Sequence, residues 1–498
     1  MYIMGKKECK TMDKKAIDEV GIPSIVLMEN AANEVFLRIK DLDNTFTVIC
    51  GTGNNGGDGL AIGRKLVLAK KEVHFIIINY KNNYSNDFNI NYNIVNKMKC
   101  KISFINDISD LQNLKEIIDS NEIIIDSIFG VGINRELAPF YKDVIEVIND
   151  SKKVIVAIDV PSGLECNTGK PMGTAVKAKI TYTFEVIKLG FINYSSFEYL
   201  GSVEVIPIGI PNEVKESIDR EAVILEEDYY KHNIRKRKIY EHKGNNGRAI
   251  IFAGSKGFTG AAYLATKACL KTGAGLTTLV TIKEVQDILS SMLIESMTSN
   301  FDDTEKLDNL LISANAIAYG PGLSSSKKNE EFLLHVSKQS NCYLVIDAEG
   351  INILSRRPDI LEALRGKMIL TPHPGEMARL VNKSIEEIES DRINIAKEYA
   401  KKYDCIMLLK GYNTVITNGR DVYINTTGNS KMASGGAGDV LTGIIVSLLA
   451  QQHSPMESAL IGAYVHGKAG EVASENKYSI TATEIIENIP TIIHNIIM

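Results

Sequence analysis

Four short, almost continuously apolar runs recur early in the chain: FTVIC (46–50), VHFIII (73–78), EIIID (122–126) and VIVAID (154–159). Strands buried on both faces lack polar alternation, so these runs predict an open, mostly parallel sheet. Each runs into a Gly-rich or polar loop, where such sheets bind ligands. A helical stretch ending near AANEVFLRI precedes them. TAVKAKITYTF (174–184) and GSVEVIP (201–207) predict further strands that close a first domain near residue 215. The Asn-rich patch 79–91 predicts a helix with wet flanks. The charged passage 226–240 predicts a solvated junction. Apolar runs restart at 248–254, 316–322, 343–348, 368–373 and 405–411. The predicted fold is α/β in two tandem domains, a Rossmann-like open sheet over 1–220 and a second α/β domain over 225–498.

Length agrees, since 498 residues exceed one ordinary core. A net charge of −5 without long basic blocks argues against nucleic acid or an anionic membrane as partner, leaving small soluble ligands. Seven scattered cysteines, none in CxxC spacing, predict reduced thiols rather than a disulfide frame or zinc site. No signal segment or membrane-spanning apolar run is legible, so a cytoplasmic protein is expected.

The first chemical constellation is GTGNNGGDG (51–59), placed after a buried strand and before a helix. No acidic residue ends a second strand where a ribose would be held, which weakens simple dinucleotide binding. Asn54, Asn55 and Asp58 lie in this loop instead, Asp126 and Asp159 end two other strands, and Ser162 follows in DVPSG. Such hard oxygen donors suit potassium, sodium or magnesium. GVGINRE (130–136) adds backbone N–H groups and Arg135 for phosphate. For each carboxylate taken alone, a turn or cap role is the alternative.

The order MDKKAIDEVGIPSIVLMENAA, GTGNNGGDG, DSIFGVGINRE, DVPSGL resembles the NAD(P)H-hydrate epimerase family. The resemblance implies that Asn54, Asn55, Gly56, Gly57 and Asp58 contact a hydrated dinucleotide. It implies the same for Gly130, Val131, Gly132 and Ile133, and for Asn134, Arg135 and Glu136. It further implies that Asn55, Asp126 and Ser162 hold potassium, with Asp159 catalytic at the nicotinamide ring.

The second constellation centres on MASGGAGDVLTG (432–443), four glycines and one carboxylate at the start of an apolar run. Asp439 could simply cap the helix. The alternative is a helix N-terminus binding phosphate, with Asp439 taking a hydroxyl proton as a phosphoryl group arrives. EHKGNNGRAIIFAGS, YGPGLS, TPHPGEMARL, KGYNT and NSKMASGGAGD together resemble the ribokinase-like superfamily, in its ADP- or ATP-dependent NAD(P)H-hydrate dehydratase branch. The resemblance implies a ribokinase-like second domain with Asp439 as catalytic base and with Ala261, Gly322, His373 and Asp439 on the substrate. Lys410, Gly411, Tyr412, Asn413 and Thr414 would bind nucleotide. So would Asn429, Ser430, Lys431, Met432 and Ala433, and then Ser434, Gly435, Gly436, Ala437 and Gly438. Magnesium would accompany ADP or ATP, with Asp347 as a possible ligand. The family often has Thr or Ser where this chain has Ala437.

The function this implies is repair of hydrated NADH and NADPH by an epimerase fused to a lyase, in a homo-oligomer. Two other readings stay open: a kinase of small vitamin alcohols, and a first domain that binds the dinucleotide without converting it.

Overall fold

The computed structural model describes residues 1–80 and 83–498, so part of the 79–91 patch lies outside the described residues. Two compact units emerge, Met1–Glu221 and Ala222–Met498. In the first, seven parallel strands lie in the order Lys101–Ile105, Glu72–Ile78, Thr45–Cys50, Ile123–Ser127, Val154–Ile158, Ile180–Phe184, Ser202–Ile206. The chain builds outward from Thr45–Cys50 in one direction and then restarts beside it at Ile123–Ser127. That reversal opens a crevice outside the carboxyl ends of these two strands. Helices Ser24–Ile39 and Asn54–Leu68 bury Leu27, Ala31, Val35, Leu60 and Leu66 against one face. Helix Pro139–Asp150 buries Phe140, Val144 and Ile148 against the other.

The second unit repeats the logic. Its strands run Met297–Asn300, Leu276–Thr281, Arg248–Phe252, Ala316–Tyr319, Tyr343–Ile346, Met368–Leu370 and Ile406–Leu409, all parallel. The hairpin Thr414–Thr417 and Val422–Asn425 then adds antiparallel pairs. The reversal here falls between Arg248–Phe252 and Ala316–Tyr319. Across the sheet face lie helices Thr259–Thr272, Ala437–Ala450, Pro455–Ala473 and Ala482–Ile497, in one apolar core.

The strand runs read from the sequence are present, but several strands were not legible. Lys101–Ile105 alternates polar and apolar at a sheet edge, Leu276–Thr281 is half threonine, and the hairpin strands are four residues each. The passage 226–240 is not simply a solvated linker. It contains helix Glu227–Asn233, held because Tyr230 is buried and stacks on Tyr464 at 3.7 Å. In the Asn-rich patch the helix begins at Asn86, capped by Ser85, and it buries Asp87, Phe88, Asn91 and Val95.

Close packing explains one glycine of MASGGAGDVLTG. A Cβ on Gly443 would lie 2.2 Å from the Ala265 carbonyl oxygen and 2.8 Å from Ala268 Cβ, so helices Ala437–Ala450 and Thr259–Thr272 touch through it. Gly443→Ala should lower stability by about 1–3 kcal/mol, the usual cost of overpacking. Gly260→Ala, with open space around its Cβ, should leave stability equal or higher. Urea unfolding midpoints check both.

Candidate functional sites

The crevice of the first unit is a cavity of about 780 Å³, lined by Asn54, Asn55, Asp58, Asp159 and all seven residues of 130–136. Strand ends supply it. Gly51 packs against Ile128, where its Cβ would sit 2.0 Å from the carbonyl oxygen, and this draws the loops after Thr45–Cys50 and Ile123–Ser127 together. Gly130 lies between two functional side chains: its Cβ would be 3.4 Å from Asn55 Cγ and 3.5 Å from Asp159 Oδ2. Gly56 and Gly57 do not line the cavity. They face protein, against the Gly51 carbonyl and against Met28 and Phe88, so they serve close packing.

Asp159 follows strand Val154–Ile158 with φ of 65°, a left-handed conformation that non-glycine residues adopt at a cost and that recurs at functional sites. Its Oδ1 lies 2.8 Å from Nζ of the buried Lys188, and it accepts from Phe184 N at 3.3 Å. Burial pulls the Lys188 ammonium down, but the Asp159 charge outweighs this and holds it above its ordinary value. Asp58 is buried and stays protonated well above the usual carboxylate range, through burial first and then the charges of Asp159, Asp13 and Asp87.

Asp126 and Ser162 lie behind the cavity wall, both fully buried. Ser162 Oγ donates to Asp126 Oδ1 at 2.6 Å and its N–H to Oδ2 at 2.8 Å, while burial pushes the Asp126 carboxyl up to about 6. Both amide atoms of Asn55 are buried without a hydrogen-bond partner among the described residues. Arg135 is exposed on the cavity rim and Glu136 pairs with Lys142.

In the second unit the expected residues sit at the carboxyl ends of the strands. Gly322, with φ of 63°, faces Ala261 across the reversal: its Cβ would lie 2.7 Å from that of Ala261. Helix Ala437–Ala450 starts after Gly436, which has φ of 94° and is the N-cap. Asp439 is therefore not a cap. It sits in the first turn, accepts no hydrogen bond among the described residues, and carries a carboxyl raised to about 7 by burial, then by Asp347 and Glu376 against the pull of Lys410. Gly438 provides access, since its Cβ would stand 3.4 Å from Lys410 Nζ.

Lys410 donates to Asp347 Oδ1 at 2.7 Å and lies 3.9 Å from Glu376 Oε2, while Thr442 Oγ1 donates to Asp347 Oδ2 at 2.7 Å. Lys410 and Thr442 thus occupy both Asp347 oxygens. The Asp347 carboxylate, expected from the sequence to help hold magnesium, orients Lys410 and Thr442. Despite burial, the Lys410 ammonium is held above its ordinary value by Asp347 and Glu376. His373 caps helix Pro374–Val381, its Nδ1 accepting from Gly375 N at 3.0 Å, and Glu376 accepts the His373 N–H at 2.8 Å.

The remaining expected nucleotide residues divide. Thr414 Oγ1 closes the Gly411 turn at 2.9 Å, and Tyr412 is exposed. Asn429 and Lys431 are tied to Ser474, and Met432 packs under Gly470. Ala433, Ser434 and Gly435 are exposed in the approach to the helix. His466 beside Ala437 stays neutral, pushed down to about 4 by burial, and its Nε2 is buried without a partner.

Sequence reasoning missed Glu376, Lys188, Lys6 and Asp13. Glu376 stood inside the TPHPGEMARL motif. Lys188 belongs to no motif, and only its full burial marks it. Lys6 donates to the carbonyls of Gly132 and Ile133 at 2.8 and 3.0 Å, pinning the 130–136 loop. Among the described residues no three His, Cys, Asp or Glu side chains group to hold a metal ion, and no helix is long and apolar enough to cross a membrane.

Comparison with known proteins gives these sites a context. Residues 24–190 match the family described as YjeF-related protein N-terminus, and residues 249–491 the family described as NAD(P)H-hydrate dehydratase. The bifunctional NAD(P)H-hydrate repair enzyme of Moorella thermoacetica is 35% identical over 100% of this chain and 97% of its own length. The chain belongs to the bifunctional NAD(P)H-hydrate repair enzyme family. The member from Thermofilum pendens is 32% identical over 96% of this chain and 93% of its own. A ribokinase-like superfamily protein from Enterococcus faecalis has 29% identity, covers 55% of this chain and 96% of its own, and superposes with a TM-score of 0.52. The fold is thus a parallel α/β unit followed by a ribokinase-like one. For a repair enzyme spanning both units, the vitamin-alcohol kinase reading is not favoured.

The Asp439 environment generates a stability prediction. Its carboxyl titrates near 7 when folded and near 4 when unfolded, so ionising it costs stability increasingly from about pH 4 to 7 and by a constant amount above. Asp439→Asn should therefore be at least as stable as wild type at pH 8, with its margin shrinking toward pH 4. Urea titrations at the two pH values check this.

Proposed function

We propose that the first unit interconverts the R and S hydrates of NADH and NADPH, and that the second dehydrates the S hydrate at the expense of ADP or ATP. One observation carries the reading: an unpartnered Asp439 carboxyl, poised near neutrality, stands in the first turn of a helix beside Lys410 and bare glycine backbone. Asp439 takes the proton of the substrate hydroxyl as that oxygen attacks the terminal phosphoryl group. The N–H groups at the start of Ala437–Ala450 and the Lys410 ammonium receive the negative charge. The phosphorylated oxygen then departs as phosphate with help from the ring nitrogen. Loss of a proton from the neighbouring carbon restores the dihydronicotinamide. Ala261, Gly322 and His373 flank the substrate, and the 411–414 and 433–438 segments take the nucleotide. Magnesium would come with the nucleotide phosphates.

In the first unit, Asn54, Asn55, Asp58 and the 130–136 loop would hold the dinucleotide, with Arg135 on its phosphates. Asp159, paired with Lys188, stabilises the cationic ring after the hydroxyl leaves and takes up the proton as water returns. The partnerless Asn55 amide oxygen, with the Asp126 and Ser162 oxygens, is a donor set that would suit a potassium ion. Such an ion would supply fixed positive charge behind the cavity wall.

Purified protein with mixed hydrates and ADP or ATP should regenerate dihydronicotinamide absorbance, and no regeneration would refute the proposal. Asp439→Asn should lower that rate about a hundredfold or more. Asp159→Ala should abolish R-to-S interconversion and leave S-hydrate dehydration intact. Unchanged interconversion would instead support a first unit that only binds.

A further inference from the structure

The N-terminal helix carries an ionisable group into the first cavity that the steps above do not use. Tyr2–Met4 pairs in parallel with Ile187–Lys188, Met4 opposite Lys188, and this fixes the following helix, Lys6–Asp18, beside the Asp159–Lys188 pair. Asp13 of that helix lines the cavity together with Asp58 and Asp159. Asp159 is committed to Lys188. Asp13 forms no ion pair and accepts no hydrogen bond among the described residues.

Inverting one carbon through a planar cation requires water to leave one face and return to the other. The leaving hydroxyl needs a proton donor, and the incoming water needs a proton acceptor. Because the two events use opposite faces of the ring, one carboxylate held on one face does not serve both. We propose that Asp13 is the second catalytic acid–base group of this cavity, working against the ionised Asp159. This rests on the epimerase reading of the first unit.

The step balances. Asp13 gives its proton to the hydroxyl, the C–O bond breaks with its electron pair leaving on water, and the ring nitrogen lone pair forms the C=N bond of the cation. A water attacks the other face, the nitrogen regains its pair, and the surplus proton passes to Asp159. Solvent exchange restores the starting protonation, and the reverse epimerisation uses the two groups in exchanged roles. The titratable groups that act on Asp13, or feel its charge, are Asp58, Asp159, Glu185, Lys188 and Cys9. Burial and the Asp159 charge raise its carboxyl to about 6 against the pull of Lys188. It can therefore hold and release a proton near neutrality. Asp58 stays protonated and suits that exchange less.

The test follows R/S interconversion by chromatography of the hydrates, without nucleotide, from pH 5 to 8, after subtracting the uncatalysed rate. It uses the full chain as wild type, Asp13→Asn, Asp13→Glu and Asp159→Ala. Asp13→Asn should lose about a hundredfold in rate while dehydrating the S hydrate normally with ADP or ATP, and an unchanged urea unfolding profile shows that the first unit is folded. The wild-type rate should fall as pH rises through about 6; that limb should vanish in Asp13→Asn and return in part in Asp13→Glu. An Asp13→Asn variant at the wild-type rate, or one slowed with its limb intact, overturns the proposal. If Asp159→Ala is inactive in that case, the epimerase reading survives alone. Absence of interconversion in wild type overturns both.

Discussion

An ionised carboxylate removed from water costs several kcal/mol unless a cation or hydrogen bonds replace the lost hydration. Both units are organised around that constraint at the carboxyl ends of their parallel strands. Asp159 is paired with Lys188, and Asp347 with Lys410 and Thr442. Asp58 and Asp439 receive no such partner, and their protons are correspondingly held. Each unit therefore sets a carboxylate paired with a lysine beside one whose proton burial holds more firmly.

The sheets make this arrangement possible. At each reversal of strand order two loops diverge, and the space between them is shielded yet open to a ligand. Glycine lets the backbone close around that space. Gly51 admits Ile128, Gly322 admits Ala261, and Gly438 leaves Lys410 room beside the phosphoryl-binding turn. The Asp347 pairing also fixes Lys410 toward Glu376 and Asp439. Removing Lys410 would therefore change electrostatics across the whole site rather than delete one contact.

Much of the fold was legible because buried parallel strands are continuous apolar runs, as at 46–50 and 154–159. Strands at edges or rich in threonine, such as Lys101–Ile105 and Leu276–Thr281, lack that signature. Site residues carried by compact loops were legible for a related reason. Asn55, Asp58, Gly322 and Asp439 stand where glycine and polar residues interrupt apolar runs. Lys188 and Asp13 were not, since their meaning comes from a strand pairing between residues far apart in the chain. The helix start at 436–437 was misread by a few residues because Gly436, rather than the aspartate, makes the left-handed entry.

The central claim is that burial tunes Asp439 to act as a base near neutral pH. The most direct measurement is the pH–rate profile of S-hydrate dehydration at limiting hydrate and nucleotide. Because the base must be ionised, kcat/KM, read from these assays, should rise tenfold per pH unit below about 7 and level off above it. A rate that is flat from pH 5 to 8 would contradict the account.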